Sequence, residues 1–258
     1  MHQALTIAAV LPKNTEQAKS SQPRLVVQGE QALMWYVAES PSPQALIAVQ
    51  LACALLQQHC VDDLVELVPA ATSVLIVFDL LKTDHASLAE RIHKLWPLQL
   101  PQGQQLGRVV ALPCYYDVAV APDLARLANL HQLSITEFIQ CHSSQRYQVN
   151  AIGFAPGFAY LGDVPAAIAT PRLATPRARV PKGSVGIAGS QTAVYPANSP
   201  GGWNVIGNCP LVMFDLNRQP VMPLSVGDAV QFVAIERAEF LRLGGEIGEW
   251  QPCVSSHE

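Results

Sequence analysis

Between Ala151 and Pro210 the chain holds nine of its 16 glycines and eight of its 20 prolines. Proline locks one backbone angle and lacks an amide donor, and glycine loses more conformational freedom on folding than any other residue. A long helix is therefore excluded there, and short strands joined by elaborate loops are favoured. Val185-Gly186-Ile187-Ala188, Thr192 to Tyr195, Trp203 to Ile206 and Leu211 to Asp215 read as strands. Gly227-Asp228 forms a turn into a further strand, Ala229 to Ile235. Helical periodicity disappears from Arg146 onward, and so many short strands predict a β-barrel.

The residues before this tract follow another pattern. Strands are expected at 24–28 and 32–38, joined by the turn Gly29-Glu30-Gln31. Ser42 can cap a helix with Pro43 at its first position, and Leu46, Val49, Leu51, Cys53, Leu55 and Leu56 give that helix an apolar face to His59. Leu64 to Val68 and Val74 to Phe78 read as two more strands. Thr83 or Asp84 caps a second helix carrying Leu88, Ile92, Leu95 and Trp96. Pro97 to Gly107 is a Pro-, Gly- and Gln-rich linker, followed by a strand from Arg108 to Cys114. Pro122 opens a short helix, and Ser134-x-x-Glu137 is the capping box of another that ends near Cys141. The expectation is an α+β protein: an extension over 1–22, a small two-layer α/β unit over 23–100, and a barrel over 105–258.

Composition excludes several classes. The 258 residues are 50% hydrophobic and 14% charged, against roughly 25% charged in a typical domain. The longest apolar stretch, Leu46 to Leu56, falls short of the about 20 residues needed to span a bilayer. A net charge of −4 with half the chain apolar excludes disorder. Residues 4–11 lack the preceding cation and following cleavage pattern of a secretion signal, so a cytoplasmic location is expected. The six cysteines contain no C-x-x-C and read as reduced, buried thiols. A pI near 6.0 gives no support for nucleic-acid binding. The seven histidines show no H-E-x-x-H spacing, so no metal site is expected.

Charge distribution points to a ligand. From Val164 to Phe214 there is no Asp or Glu, while Arg172, Arg177, Arg179 and Lys182 all lie there. Guanidinium forks suit carboxylate or phosphate oxygens, although the same arginines could face water or pair with acids elsewhere in the fold. The tract Lys182 to Thr192 is Gly-rich, yet it is neither a Walker loop nor a dinucleotide fingerprint, and no helix pattern follows it. Its glycines either let backbone approach a ligand or serve barrel bends. Ser184 and Ser199 lack the G-x-S-x-G elbow of a serine hydrolase. His142 lies near a helix end, where it can interact with the helix terminus or act as ligand contact or proton carrier. Trp203 can be core or a stacking surface.

The run Gly153-Phe154-Ala155-Pro156-Gly157-Phe158-Ala159-Tyr160-Leu161-Gly162 resembles the G-F-x-P-G-F-x-Y-L-G signature of the 5-oxoprolinase B-subunit family. That family is also called allophanate hydrolase subunit 1, a carboxyltransferase subdomain C and D family, and it includes sporulation-kinase inhibitors. The resemblance continues through Ala169 to Arg172, Thr175 to Pro181, Gly183 to Gly189, Gln191-Thr192, Tyr195-Pro196 and Ser199 to Trp203, with His142-Ser143 upstream. It is weaker from Val26 to Ile235. Ser190 and Ala193 stand where the family has glycine, and Lys182 falls where the family fixes no residue.

The resemblance implies a small ferredoxin-like α/β domain, a cyclophilin-like barrel, and a cytoplasmic complex with the A and C partner subunits of 5-oxoprolinase. That complex opens 5-oxo-L-proline to L-glutamate while ATP, a co-substrate with Mg2+, is hydrolysed to ADP and phosphate; no resident cofactor, nucleic acid or membrane is implied. It marks Arg172, Arg177, Arg179, Gly157, Gly183, Gly186, Gly189, Gln191, Tyr195, Ser199, Gly201, Gly202 and Trp203 as substrate- or ATP-binding, and His142 as a catalytic candidate. On this reading the arginines and the backbone amides of Gly183 to Gly189 hold a carboxylate or phosphate at a site shared with the carboxyltransferase-like C partner. The family leaves two other expectations open: inhibition of a sensor histidine kinase, or a part in a biotin-dependent urea carboxylase-type carboxyltransferase. A prolyl isomerase ranks last, because fold alone is a poor guide to activity.

Overall fold

Why the first half forms a layer is visible in its caps and its alternation. The computed structural model describes residues 24–98 and 107–247, so the expected extension over 1–22 and most of the linker lie outside the described residues. Strands β1 (Arg24–Val27) and β2 (Ala32–Tyr36) form a hairpin and lead into helix α1 (Pro43–His59). The Ser42 hydroxyl accepts from the Ala45 amide at 3.0 Å, with Pro43 in the first turn where no amide is needed. Strands β3 (Leu64–Pro69) and β4 (Ser73–Phe78) follow, then helix α2 (His85–Leu95), capped by the Asp84 carboxylate on the Ser87 amide at 2.7 Å.

The strand order is β1-β2-β4-β3, so β4 is inserted between the two strands that α1 connects. This is a split β-α-β unit, and it differs from a ferredoxin-like chain in that an edge strand comes first rather than last. Leu33 pairs with Ile76 and Trp35 with Val74, which places these side chains on one face. Val49, Ala52 and Leu56 of α1 and Leu88 and Ile92 of α2 pack with that face, and all of these are essentially inaccessible. No helix among the described residues is long and apolar enough to cross a membrane.

The second half is a single curled sheet. Its strands are β5 (Val109–Cys114), β6 (Arg146–Ile152), β7 (Ala159–Leu161), β9 (Ser184–Ala188), β10 (Gln191–Val194), β12 (Asn204–Asn208) and β13 (Ala229–Ala234). Their order is β12-β9-β10-β7-β6-β13-β5, antiparallel throughout except for the parallel pair β13–β5. The two edges meet, because Tyr115 and Asn208 exchange backbone hydrogen bonds of 2.8 and 2.9 Å. A two-stranded ribbon, β8 (Arg177–Val180) with β11 (Ser199–Gly201), accompanies the sheet. Helices α3 (Leu124–Leu130) and α4 (Ile135–Ser143) precede β6, the latter with the expected Ser134–Glu137 capping box.

Strand β9 is buried at every residue, unlike a surface strand that alternates. Val185 and Ile187 point into the main core, while Ala188 belongs to a second cluster with Val180 of the ribbon. The turn Ser225–Asp228 also forms as expected: the Asp228 carboxylate accepts from the Ser225 and Arg108 amides and so ties the start of β13 to that of β5. A 2.9 Å hydrogen bond from Gln50 Nε2 of α1 to the Val226 carbonyl links the halves.

Two expectations are corrected. Leu211 to Asp215 is not a strand: Met213 is buried in the core, and Asp215 turns the chain by accepting from the Asn217 amide at 2.9 Å. Flanking Pro210, Pro220 and Pro223 supply no amides for a ladder. Helicity also returns after Arg146, in α5 (Arg237–Arg242), held by Phe240 stacked on Tyr115 at 5.0 Å. Because β9 is enclosed on both faces, Ile187→Ala should lower the unfolding free energy by about 2–5 kcal/mol in a urea titration.

Candidate functional site

One buried carboxylate organises the arginine tract. Asp123, at the start of α3, is 4% exposed and faces the Arg177 guanidinium in a two-point fork, at 2.9 and 3.0 Å. Arg126 Nη2 donates to the same carboxylate at 3.0 Å, and the Val205 amide donates to its other oxygen at 2.8 Å. Arg126 also reaches Asn204, whose own amide donates to the Pro171 carbonyl at 2.8 Å. Helix α3, strand β12, ribbon strand β8 and the 170s loop are thereby joined in one network. Arg177, expected to bind ligand, is instead paired with an acid from elsewhere in the fold.

Beside this clamp lies an aromatic cluster centred on Phe158. Its ring meets Tyr195 edge-on at 5.5 Å, Trp203 at 5.6 Å and Tyr160 at 4.9 Å. Gly201 lies under Tyr195, where a Cβ would come within 2.3 Å of the phenol oxygen, and Gly186 lies under Trp203. Burial raises the Tyr195 phenol above its ordinary range, opposed by the Trp203 amide and by Arg172 and Arg177. Arg172 stands 5.9 Å over the Trp203 ring, within cation–π reach. Trp203 itself is core, at 5% exposure. Phe154, at the tip of the Gly153–Phe158 loop, is 67% exposed and holds a left-handed φ of 69°, a conformation that bulky residues rarely adopt.

A second feature is a groove of about 550 Å3 lined by Arg179, Lys182, Gly183, Asn198, Asn208, Cys209 and the chain from Leu243 to Glu246. The Lys182 amide donates to Asn198 Oδ1 at 2.9 Å, and Asn208 Nδ2 donates to the Lys182 carbonyl at 3.1 Å. Gly183 has φ +82°, and a Cβ there would sit 2.5 Å from Asn208 Oδ1. Burial pushes the Cys209 thiol up to about 12, so it is a neutral wall rather than a nucleophile. Among the described residues no carboxylate pairs with Arg172, Arg179 or Lys182. Nor does any group of three or more His, Cys, Asp or Glu stand together among the described residues to hold a metal ion.

The anticipated amide cradle does not form. The Gly183 amide donates to Tyr195 O at 2.8 Å, Ser184 to Pro181 O, and Gly189 to Thr170 O at 2.7 Å. Strand β9 between them is paired on both sides, by β10 and β12. These glycines therefore serve bends and close packing. Gly157 and Gly189 take positive φ at loop turns, Gln191 opens β10, Gly202 accepts from the Leu173 amide, and the Ser199 hydroxyl is shielded within β11.

His142 sits in the core with no exposure. Its Nδ1 lies 2.8 Å from the Tyr116 hydroxyl and its Nε2 3.1 Å from Thr192 Oγ1. Because Thr192 donates its own proton to Gly186 O at 2.9 Å, Nε2 carries the hydrogen and Nδ1 accepts from Tyr116. Burial lowers the ring pKa from 6.5 to about 3, so the imidazole is neutral. Both nitrogens are engaged inside the fold, and the ring holds strands together rather than facing a ligand. Asp123, Asn198, Asn208 and Glu246 escaped the sequence reading. Asp123 meets its partners 54 and 82 residues further along, which no local pattern records.

Two measurements check this geometry. Arg177→Ala leaves a buried carboxylate with one arginine fewer and should cost about 3–5 kcal/mol of unfolding free energy. His142 has a folded pKa below its unfolded value, so its contribution is complete above pH 6.5 and is lost as pH falls toward 3. The slope is about 1.4 kcal/mol per pH unit. Between pH 7 and pH 5 the parent chain should therefore lose about 2 kcal/mol more stability than His142→Gln in paired urea titrations.

Comparison with known proteins identifies the lineage. Residues 23–224 match the family of the carboxyltransferase domain, subdomain C and D. The 5-oxoprolinase B subunit of Bacillus subtilis is 34% identical over 222 residues, covering 82% of this chain and 92% of that protein. Those of Haemophilus influenzae and Escherichia coli O157:H7 are 40% and 38% identical, covering 67% and 74% of this chain and 80% and 88% of theirs. Among solved structures, TTHA0988 is 32% identical with a TM-score of 0.70 over 80% of this chain, which spans only 40% of that longer protein. The Kluyveromyces lactis urea amidolyase shares the fold alone, at 18% identity and a TM-score of 0.63 over 91% of this chain and 16% of its own. With its G-F-x-P-G-F-x-Y-L-G loop folded into the aromatic cluster, the chain belongs to the 5-oxoprolinase B-subunit family of carboxyltransferase subdomain C and D proteins.

Proposed function

We propose that this chain is the B-type member of a cytoplasmic complex, with A and C partner subunits, that opens 5-oxo-L-proline to L-glutamate at the expense of ATP. The observation that carries the reading is the agreement of three relatives, each named as the B subunit of 5-oxoprolinase, over most of the chain. The groove supports it chemically: Arg179 and Lys182 present two cations without carboxylate partners among the described residues. Such a pair suits the carboxylate of the lactam or the oxygens of a transferring phosphoryl group.

The chemistry asks for little else from this chain. A lactam amide resists water, and transfer of the terminal phosphoryl group of ATP to the amide oxygen turns that oxygen into a leaving group. Water then adds at the activated carbon and the carbon–nitrogen ring bond breaks with a proton delivered to nitrogen, leaving an acyl phosphate; a second water hydrolyses this to the side-chain carboxylate and free phosphate. Cations held in place around the phosphoryl oxygens stabilise the charge that develops in the first step. His142, whose nitrogens are both engaged in the core, is not available as the general base. In the reconstituted complex, Arg179→Ala and Lys182→Ala should each lower ATP-coupled glutamate formation by about 100-fold or more. Unchanged thermal midpoints would show that both variants fold, and full activity in both would refute the proposal.

A further inference from the structure

The barrel closes at a seam where two cysteines stand opposite each other. Tyr115, just beyond β5, and Asn208, at the end of β12, form an isolated antiparallel bridge and exchange both backbone hydrogen bonds. One residue before Tyr115 is Cys114 and one after Asn208 is Cys209, so the register sets the two cysteines face to face. In an antiparallel ladder, the pair next to a hydrogen-bonded couple turns its amides and carbonyls outward and brings its side chains together. Both cysteines obey this rule. The Cys114 carbonyl accepts from the Ile235 amide at 3.0 Å, on the β13 side, and the Cys209 amide donates to the Gly183 carbonyl at 2.7 Å, on the β9 side. Pro210 follows Cys209 and favours extended backbone there. Such a pair sets its Cα atoms about 4.5 Å apart, within the roughly 4.4–6.8 Å span that a disulfide accepts.

Both thiols are free in the structure. The Cys114 sulfur lies over Gly207, where an added Cβ would meet it at 2.6 Å, so the missing side chain leaves it room. The two differ in access: Cys209 lines the groove, whereas Cys114 is enclosed in the core. Burial keeps both protonated at neutral pH, so the pair stays reduced until an oxidant persists.

We infer that Cys114 and Cys209 form a peroxide-responsive disulfide clasp across the barrel seam. Hydrogen peroxide, entering by the groove, oxidises the Cys209 thiol to a sulfenic acid; the O–O bond breaks and water leaves. A change of rotamer turns the Cys114 sulfur from Gly207 toward Cys209, where it attacks the sulfenic sulfur. The S–O bond breaks, and the hydroxyl departs as water with the Cys114 proton. Two thiols and one peroxide thus give one disulfide and two waters. The new bond locks the bridge beside Asn208 and Gly183, two residues that line the groove, and it restrains the unfolded chain over a long loop. The clasp is independent of what the groove binds.

Peptide mapping of the full chain tests it. The folded chain is exposed to hydrogen peroxide, its remaining thiols are blocked with iodoacetamide, and it is digested without reductant. A peptide pair linked through Cys114 and Cys209 should appear, and dithiothreitol should abolish it. Cys114→Ser should instead leave Cys209 as a sulfenic acid that dimedone labels. The oxidised parent chain should melt about 5 °C or more above its reduced form, and Cys114→Ser treated in the same way should show no rise. Free thiols at both positions after prolonged exposure overturn the inference. So does linkage of either residue to Cys53, Cys60 or Cys141 in its place, or a 114–209 link that forms only once urea has unfolded the chain.

Discussion

The carboxylate of Asp123 is the point on which the second half of the molecule turns. Its two oxygens receive two guanidinium groups and a backbone amide, so its four donors bind α3, β12 and β8 at once. A carboxylate this deeply buried is tolerable only when hydrogen bonds replace its lost hydration. Removing any donor leaves charge uncompensated, which is why the ribbon and the Trp203 segment hold a set position over the sheet. The Arg177 guanidinium also lies 3.4 Å from the Trp203 carbonyl, which couples the clamp directly to the aromatic cluster.

From that clamp the remaining features follow in order. With the ribbon fixed, Phe158 can gather Tyr160, Tyr195 and Trp203 around itself, and the tight fits at Gly186 and Gly201 become possible. With Tyr195 fixed, its carbonyl takes the Gly183 amide and orients the Pro181–Gly183 turn. That turn carries Lys182 beside Arg179 at the groove. The Tyr116–His142–Thr192–Gly186 chain of hydrogen bonds does comparable work inside the barrel, joining the end of β5 to α4, β9 and β10. Polar groups buried in both networks contribute to rigidity because each has its partner.

Much of the architecture was legible locally. Ser42-Pro43, Asp84 and the Ser134–Glu137 box are short-range signals whose physics is complete within four residues, and each helix start they announced is present. The strands carrying residues 33, 35, 74, 76 and 78 were likewise expected, but both are continuously apolar in sequence, and only their burial in the fold shows which face the two helices cover. Leu211 to Asp215 misled because its apolar residues plug the core instead of pairing, and β8 and β11 were missed because proline and arginine mask such short edge strands. The G-F-x-P-G-F-x-Y-L-G run identified the family, and the lack of acids from Val164 to Phe214 singled out the cations of that segment.

What the sequence by itself determined, then, was the family, the helix caps, the density of turns and the set of cations available. Which cations remain open to a ligand was decided only by tertiary structure. Arg177 is closed off by an aspartate 54 residues earlier in the chain, whereas Arg179, two positions further along the same strand, lines the groove with Lys182 and Glu246. Pleating alone would send side chains two apart to the same face, but the β8–β11 register shifts between Ser199 and Gly201, and such an irregularity re-aims side chains. Charge pairing depends on distance in space, so neither the partner of a buried arginine nor the wall supplied by a distant segment can be read from neighbours in sequence.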